Sequence, residues 1–125
     1  MLPVGKRILL AALACFAIVS TVPVVHAGEL VWRFRSEHPK RVQLEFYSAS
    51  GDHVWPGGNE VYAIADGKVH TYTLSCRSGE KICYGAWLKS NTRSYWGSGY
   101  DGRQSCDSCC FTCDAGDTPV IVLNR

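Results

Sequence analysis

Helical periodicity is what this 125-residue sequence most conspicuously lacks. No long stretch spaces its apolar residues three and four apart, which excludes a helical bundle. Nothing repeats internally, and there is no long linker or low-complexity segment, which argues against a repeat array or a second folded domain. The longest uncharged apolar run, Ile8 to Val19, falls short of the roughly 20 residues that span a bilayer. A surplus of charge is missing too. Of 13 Lys and Arg against 11 Asp and Glu, Lys6 and Arg7 precede that run. Once an N-terminal leader is removed the two signs balance, so no global charge favours nucleic acid or an anionic membrane as partner.

Lys6 and Arg7, the apolar run after them and the break at Ser20, Thr21 and Pro23 have the order of a secretory signal peptide. Val25-His26-Ala27 places the cut after Ala27, so residues 1–27 are the leader and residues 28–125 a single domain. A lipoprotein reading of Cys15 fails because Leu13 stands one place too late for a lipid-attachment box. The expected location is periplasmic or secreted, with no membrane span after cleavage. A domain of about 100 residues is near the lower end of what a hydrophobic core supports alone.

Cys76, Cys83, Cys106, Cys109, Cys110 and Cys113 remain after the leader departs with Cys15. An even number in a small exported chain reads as a disulfide framework, each bridge contributing about 2 to 4 kcal/mol. Pairings that join adjacent Cys109 and Cys110 are removed, because neighbouring Cα atoms are about 3.8 Å apart, below the usual disulfide span. Cys76 with Cys83 is the favoured bridge, across the turn-like Arg77 to Lys81; the Cys106–Cys113 cluster then pairs within itself or exchanges partners with that hairpin. Two abutting C-x-x-C units lack the separated knuckles of a zinc site. They also lack the strand–helix alternation of a thioredoxin-like site.

Period-two alternation dominates the rest. Leu30, Trp32 and Phe34 face opposite to Val31, Arg33 and Arg35; Val42, Leu44 and Phe46 face opposite to Gln43, Glu45 and Tyr47. Ser36 to Lys40 is a polar connection, and Val54-Trp55 is a brief strand or an ordered loop between glycine-rich turns. Asp66-Gly67 reads as the tight turn of a hairpin between Glu60–Ala65 and Lys68–Cys76. Ile82 to Lys89 is a further strand weakened by Gly85, Ser105 to Thr112 a short helix or turn, and Pro119 to Leu123 a final buried strand. The fold class expected is all-β: a small antiparallel β-sandwich or barrel of six to eight short strands, stabilised by disulfides.

The run Ile82-Cys83-Tyr84-Gly85-Ala86-Trp87, then Tyr95-Trp96-Gly97-x-Gly99, then Asp101 to Cys106 and the C-x-x-C-C-x-x-C cluster resembles small secreted or periplasmic proteobacterial proteins of unknown function. With Val54-Trp55-Pro56-Gly57 the resemblance covers most of residues 28–125. It implies an exported domain and carries no activity, cofactor or site residue.

The glycine-flanked Ser98 lacks the strand-to-helix elbow of a serine nucleophile, and His38, His53 and His70 lie at turns or on polar strand faces. Carboxylates for glycoside cleavage could be drawn from Glu45, Glu60 and Asp52, with no separation legible between them. Asp101, Asp107, Asp114 and Asp117 do not match a calcium loop and read as turn residues. Arg33, Arg35, Lys40 and Arg41 form a basic stripe of the kind that protects an edge strand. The aromatics are more suggestive: Trp55 and Trp96, with Tyr95 and Tyr100, lie beside glycine-rich turns where rings are expected to be partly exposed. The reading is a non-catalytic binding or interaction module that contacts a glycan or envelope protein through these four residues, with no cofactor, metal or catalytic residue. The alternative is a periplasmic thiol-active or metal-binding protein that uses the Cys106–Cys113 cluster.

Overall fold

The structure, a computed structural model, describes Gly5, residues 12–22 and residues 27–124. Much of the expected signal peptide, including Lys6, Arg7, Val25 and His26, lies outside the described residues. No helix among the described residues is long and apolar enough to cross a membrane.

The described residues form nine strands, β1 (Ala27–Ser36), β2 (Val42–Ser48), β3 (Val54–Trp55), β4 (Tyr62–Ile64), β5 (His70–Arg77), β6 (Lys81–Leu88), β7 (Asn91–Gly97), β8 (Cys110–Thr112) and β9 (Val120–Leu123), with a 3-10 turn at Tyr100–Gly102. They make two sheets. The smaller has the order β5-β1-β9; the larger is built on β2 and β6, with β3 and β4 sharing the outer edge of β2, and β7 and β8 sharing that of β6. Every pairing is antiparallel except β1 with β9. The sheets do not close into a barrel, so the sandwich is the architecture adopted, with one or more strands beyond the expected six to eight because β3, β4 and β8 are edge fragments of two or three residues.

Alternation places the core as expected. Leu30, Trp32 and Phe34 of β1 and Val42, Leu44 and Phe46 of β2 are buried between the sheets. The facing rings interlock: Trp32 meets Phe46 at 4.9 Å and Phe111 at 5.1 Å, Phe34 meets Tyr84 at 5.1 Å, and Tyr62 meets Tyr72 at 4.7 Å. Burial of side chains this large contributes roughly 1.5 to 3 kcal/mol each.

Three local expectations are corrected. Asp66-Gly67 is not a hairpin turn: β4 pairs with β2 and β5 with β1, so the chain leaves one sheet and enters the other there. Local turn propensity yields to burial, since Tyr62 and Tyr72 meet across the interior instead of side by side. The final strand is an edge strand and not a buried one, with Val120 and Val122 exposed and only Leu123 fully buried. Ser105 to Thr112 holds no helix; its end is β8.

The disulfides are Cys76–Cys113, Cys83–Cys110 and Cys106–Cys109. The favoured Cys76–Cys83 bridge is therefore replaced. Arg77 to Glu80 carries the chain from β5 in the small sheet to β6 in the large one, so the two cysteines are not cross-strand neighbours. Cys113 fills the gap instead: its N–H donates to the Glu80 carbonyl (2.8 Å) and its carbonyl accepts from Gly79 N–H (3.2 Å). Cys83 and Cys110 are register partners on β6 and β8. Three bridges of this kind persist in an oxidising environment.

Candidate functional site

The outer face of the larger sheet carries Gln43, Glu45 and Tyr47 from β2, with Cys83, Gly85 and Trp87 opposite them on β6. The segment after β7 folds back over this face. Ser98 N–H and Oγ both donate to the Tyr84 carbonyl (2.9 Å each), and Gln104 N–H donates to the Ser98 carbonyl (2.9 Å). Gly99 has φ of +67°, a conformation nearly free for glycine alone, and its carbonyl lies against Gly85, where any side chain would strike it. Gly85 is thus the seat of the returning segment and more than a weak point in its strand.

The covering segment builds two features. First, Trp87 is 2% exposed although it points away from the main core. Its Nε1 donates to Gln43 Oε1 (3.0 Å), and Tyr100 packs edge-on to it at 5.3 Å. Tyr95 is its register partner on β7 and packs against Gly99. Tyr95 and Tyr100 remain 45% and 43% exposed, so two rings flank a buried tryptophan on an open surface, with the Arg103 guanidinium 5.7 Å from the Tyr100 ring centre.

Second, Asp101 turns into a cleft of about 470 Å³ lined by Glu45, Tyr47, His53, Asn59 and Glu60 among others. Burial raises the Glu45 carboxyl above the ordinary glutamate value; the Tyr47 hydroxyl offsets part of this and the charge of Asp101 adds to it. Burial, then the charge of Glu45, raises Tyr47 as well. The Tyr47 hydroxyl is sealed from solvent, with Glu45 and the Gly102 backbone beside it but neither in full hydrogen-bonding geometry. A carboxyl that holds its proton more tightly when folded contributes stability below its unfolded value and loses it as pH rises through the folded value. Glu45→Gln is therefore expected to melt above the native protein at pH 7, with the difference closing as pH falls to about 4, as read by thermal denaturation at both pH values.

The four aromatic candidates divide. Trp55 is only 8% exposed, which corrects the expectation of an open ring: it faces the core, its Nε1 donates to the Ser75 carbonyl (3.1 Å), and His53 stacks on it at 4.0 Å. Trp96 is half-buried, donates to the Asn124 carbonyl (3.1 Å) and meets the His38 ring at 5.9 Å. Trp55 and Trp96 sit on opposite edges of the larger sheet and share no surface. Tyr95 and Tyr100 are brought together around Trp87, a residue the sequence reading left unassigned.

Ser98 is buried and its hydroxyl committed to Tyr84. His70 contacts Asp66 at 2.7 Å, and His38 Nδ1 accepts from Lys40 N–H (3.0 Å). Asp52, 3.9 Å from Arg77, does not line the cleft that joins Glu45 and Glu60. Asp114 accepts from Glu29 N–H (3.0 Å) and Asp117 pairs with Arg33 (2.9 Å), so the aspartates are scattered. The basic stripe is split: Arg33 and Arg35 pair with Asp117 and Glu37, while Lys40 and Arg41 lie beside Lys89. Among the described residues, the one group of three metal-ligating side chains that converges is Cys83, Cys109 and Cys110; Cys113, grouped with the cluster by sequence, lies in the core instead.

No known protein family, curated protein sequence or solved structure matches the chain.

Proposed function

We propose that this protein is a non-catalytic binding module, exported to the periplasm or beyond the cell, that presents Tyr95 and Tyr100 to a sugar ring of a glycan. The observation that carries this reading is the pair of exposed tyrosines flanking buried Trp87. Rings held by a packed neighbour and a hydrogen-bonded backbone lose little freedom on binding. Arg103 stands beside the Tyr100 ring, 3.4 Å from the Asp101 carboxylate, and supplies the donors that sugar hydroxyl groups require. The disulfides and the signal-peptide pattern support export, as does the resemblance carried by the Tyr-Trp-Gly-x-Gly and cysteine motifs.

A glycan array probed with the native protein identifies the ligand, and an envelope-protein cross-linking screen covers the other class of partner. Removing either ring as Tyr95→Ala or Tyr100→Ala is expected to weaken binding by about 2 kcal/mol, roughly thirtyfold in Kd, while near-UV circular dichroism and melting stay close to native. Folded variants that bind as the native protein does would overturn the assignment.

A further inference from the structure

Four cysteines gather in one recess, separate from the tyrosine platform. Cys83, Cys106, Cys109 and Cys110 line an opening of about 330 Å³ on the outer face of the larger sheet, together with Lys81 and Tyr47. They form two bridges, Cys83–Cys110 and Cys106–Cys109, yet the sulfurs of Cys83, Cys109 and Cys110 all lie within 4.8 Å of one another. Cys109 Sγ is 3.9 Å from Cys110 Sγ, in contact with a bond to which it does not belong. The third bridge, Cys76–Cys113, is buried in the core and takes no part.

Thiol–disulfide exchange needs a thiolate beside a disulfide sulfur, and the recess supplies that arrangement once its outer bridge opens. Cys106 is the reachable end, half-buried between exposed Ser105 and Asp107, whereas Cys109 is 2% exposed. Cys106 and Cys109 are three residues apart, and a bridge that closes so short a loop restrains the unfolded chain least. Lys81, exposed at the rim, is among the residues that line the recess, and a nearby cation favours a thiolate over a thiol.

We propose that this recess is a thiol–disulfide exchange site, in which a small dithiol opens Cys106–Cys109 and Cys109 then exchanges into Cys83–Cys110. In the first step a donor thiolate bonds to Cys106 Sγ, the Cys106–Cys109 bond breaks, and Cys109 leaves as the thiolate. The donor's second thiolate attacks its own sulfur in that mixed disulfide and expels Cys106, which takes a proton. The donor is oxidised by two electrons to a disulfide and the Cys106/Cys109 pair is reduced by two. Cys109 thiolate then attacks Cys83 Sγ, the Cys83–Cys110 bond breaks, Cys83–Cys109 forms, and Cys110 leaves and takes a proton from water, with no net electron transfer. Attack on Cys110 would close an eight-membered ring through the peptide bond between neighbouring residues, which strains that planar trans unit; Cys83 is the better target.

Cys106→Ser strands Cys109 without a partner and tests the second step directly. The oxidised full chain is alkylated at neutral pH and its thiols mapped by peptide, with Cys15 read separately. The expected label is on Cys110, with a Cys83–Cys109 bridge; label confined to Cys109 with Cys83–Cys110 intact overturns the proposal. Limited reduction of the native chain with equimolar dithiothreitol, quenched in acid, gives an answer that does not depend on that variant folding. Thiols at Cys106 and Cys110 with Cys76–Cys113 intact are expected. Thiols only at Cys106 and Cys109, or earlier opening of Cys76–Cys113, overturn it. Glycan binding through Tyr95 and Tyr100 is unaffected by either outcome.

Discussion

The Cys76→Ala/Cys113→Ala protein is expected to unfold at lower guanidinium concentration than the native protein, with a loss of about 4 kcal/mol. The bridge joins residues 37 apart, and a loop of that length restricts the unfolded chain by about 4 kcal/mol at 25 °C in the chain-entropy account. It is also the bridge that fastens the crossing from β5 to β6, where the chain passes between sheets. Cys83–Cys110, with a separation of 27, ranks next at about 3.5 kcal/mol, and Cys106–Cys109, with a separation of 3, contributes only about 1.6 kcal/mol. Equilibrium denaturation of the three double-alanine proteins checks the order. A steeper transition for the Cys76/Cys113 variant is expected too, because its unfolded chain exposes more surface. Unchanged midpoints in that variant would contradict the role assigned to the bridge.

Trp32→Ala is expected to cost about 3 to 5 kcal/mol, enough to leave a domain of ordinary stability, about 5 to 15 kcal/mol, only marginally folded. Trp32 is fully buried and touches rings from both sheets, Phe34 on its own strand and Phe46, Tyr84 and Phe111 across the interior. Its indole Nε1 finds no acceptor, and an unmet buried donor costs about 1 to 3 kcal/mol. Trp32→Phe removes that donor and keeps a ring, so its loss is expected to be clearly smaller than that of Trp32→Ala. Urea titrations of the two variants measure the gap; equal losses would mean that the indole is not held as described.

Strand faces were legible because a period of two needs no partner to be read. Trp32, Leu44 and Phe46 are core residues whichever strand lies beside them. Glu45 and Tyr47 fall on the outer face by the same alternation, so half of the acidic cleft was visible in the sequence. Asp101 was not, because it arrives on a loop whose path is set by Gly99 resting on Gly85. The tyrosine platform was half legible: glycine-rich flanks mark Tyr95 and Tyr100 as candidates, but the same cue misled for Trp55, which turns inward to bond Ser75. Asp66-Gly67 misled for a related reason. A dipeptide suited to a tight turn says how the chain bends and nothing about which sheet receives the next strand.

Composition and alternation by themselves determined an all-β fold with an aromatic interior, since these depend on what each residue prefers to touch or avoid. Which strands share a sheet, which cysteines meet, and which rings stay open to solvent were decided only in three dimensions. Those are relations between residues far apart in the chain, set by which apolar faces can close over one another while every backbone group keeps a partner. Gly85, Trp87 and Cys83 take their roles from the segment that returns to cover them, and nothing in their immediate neighbours announces that it will.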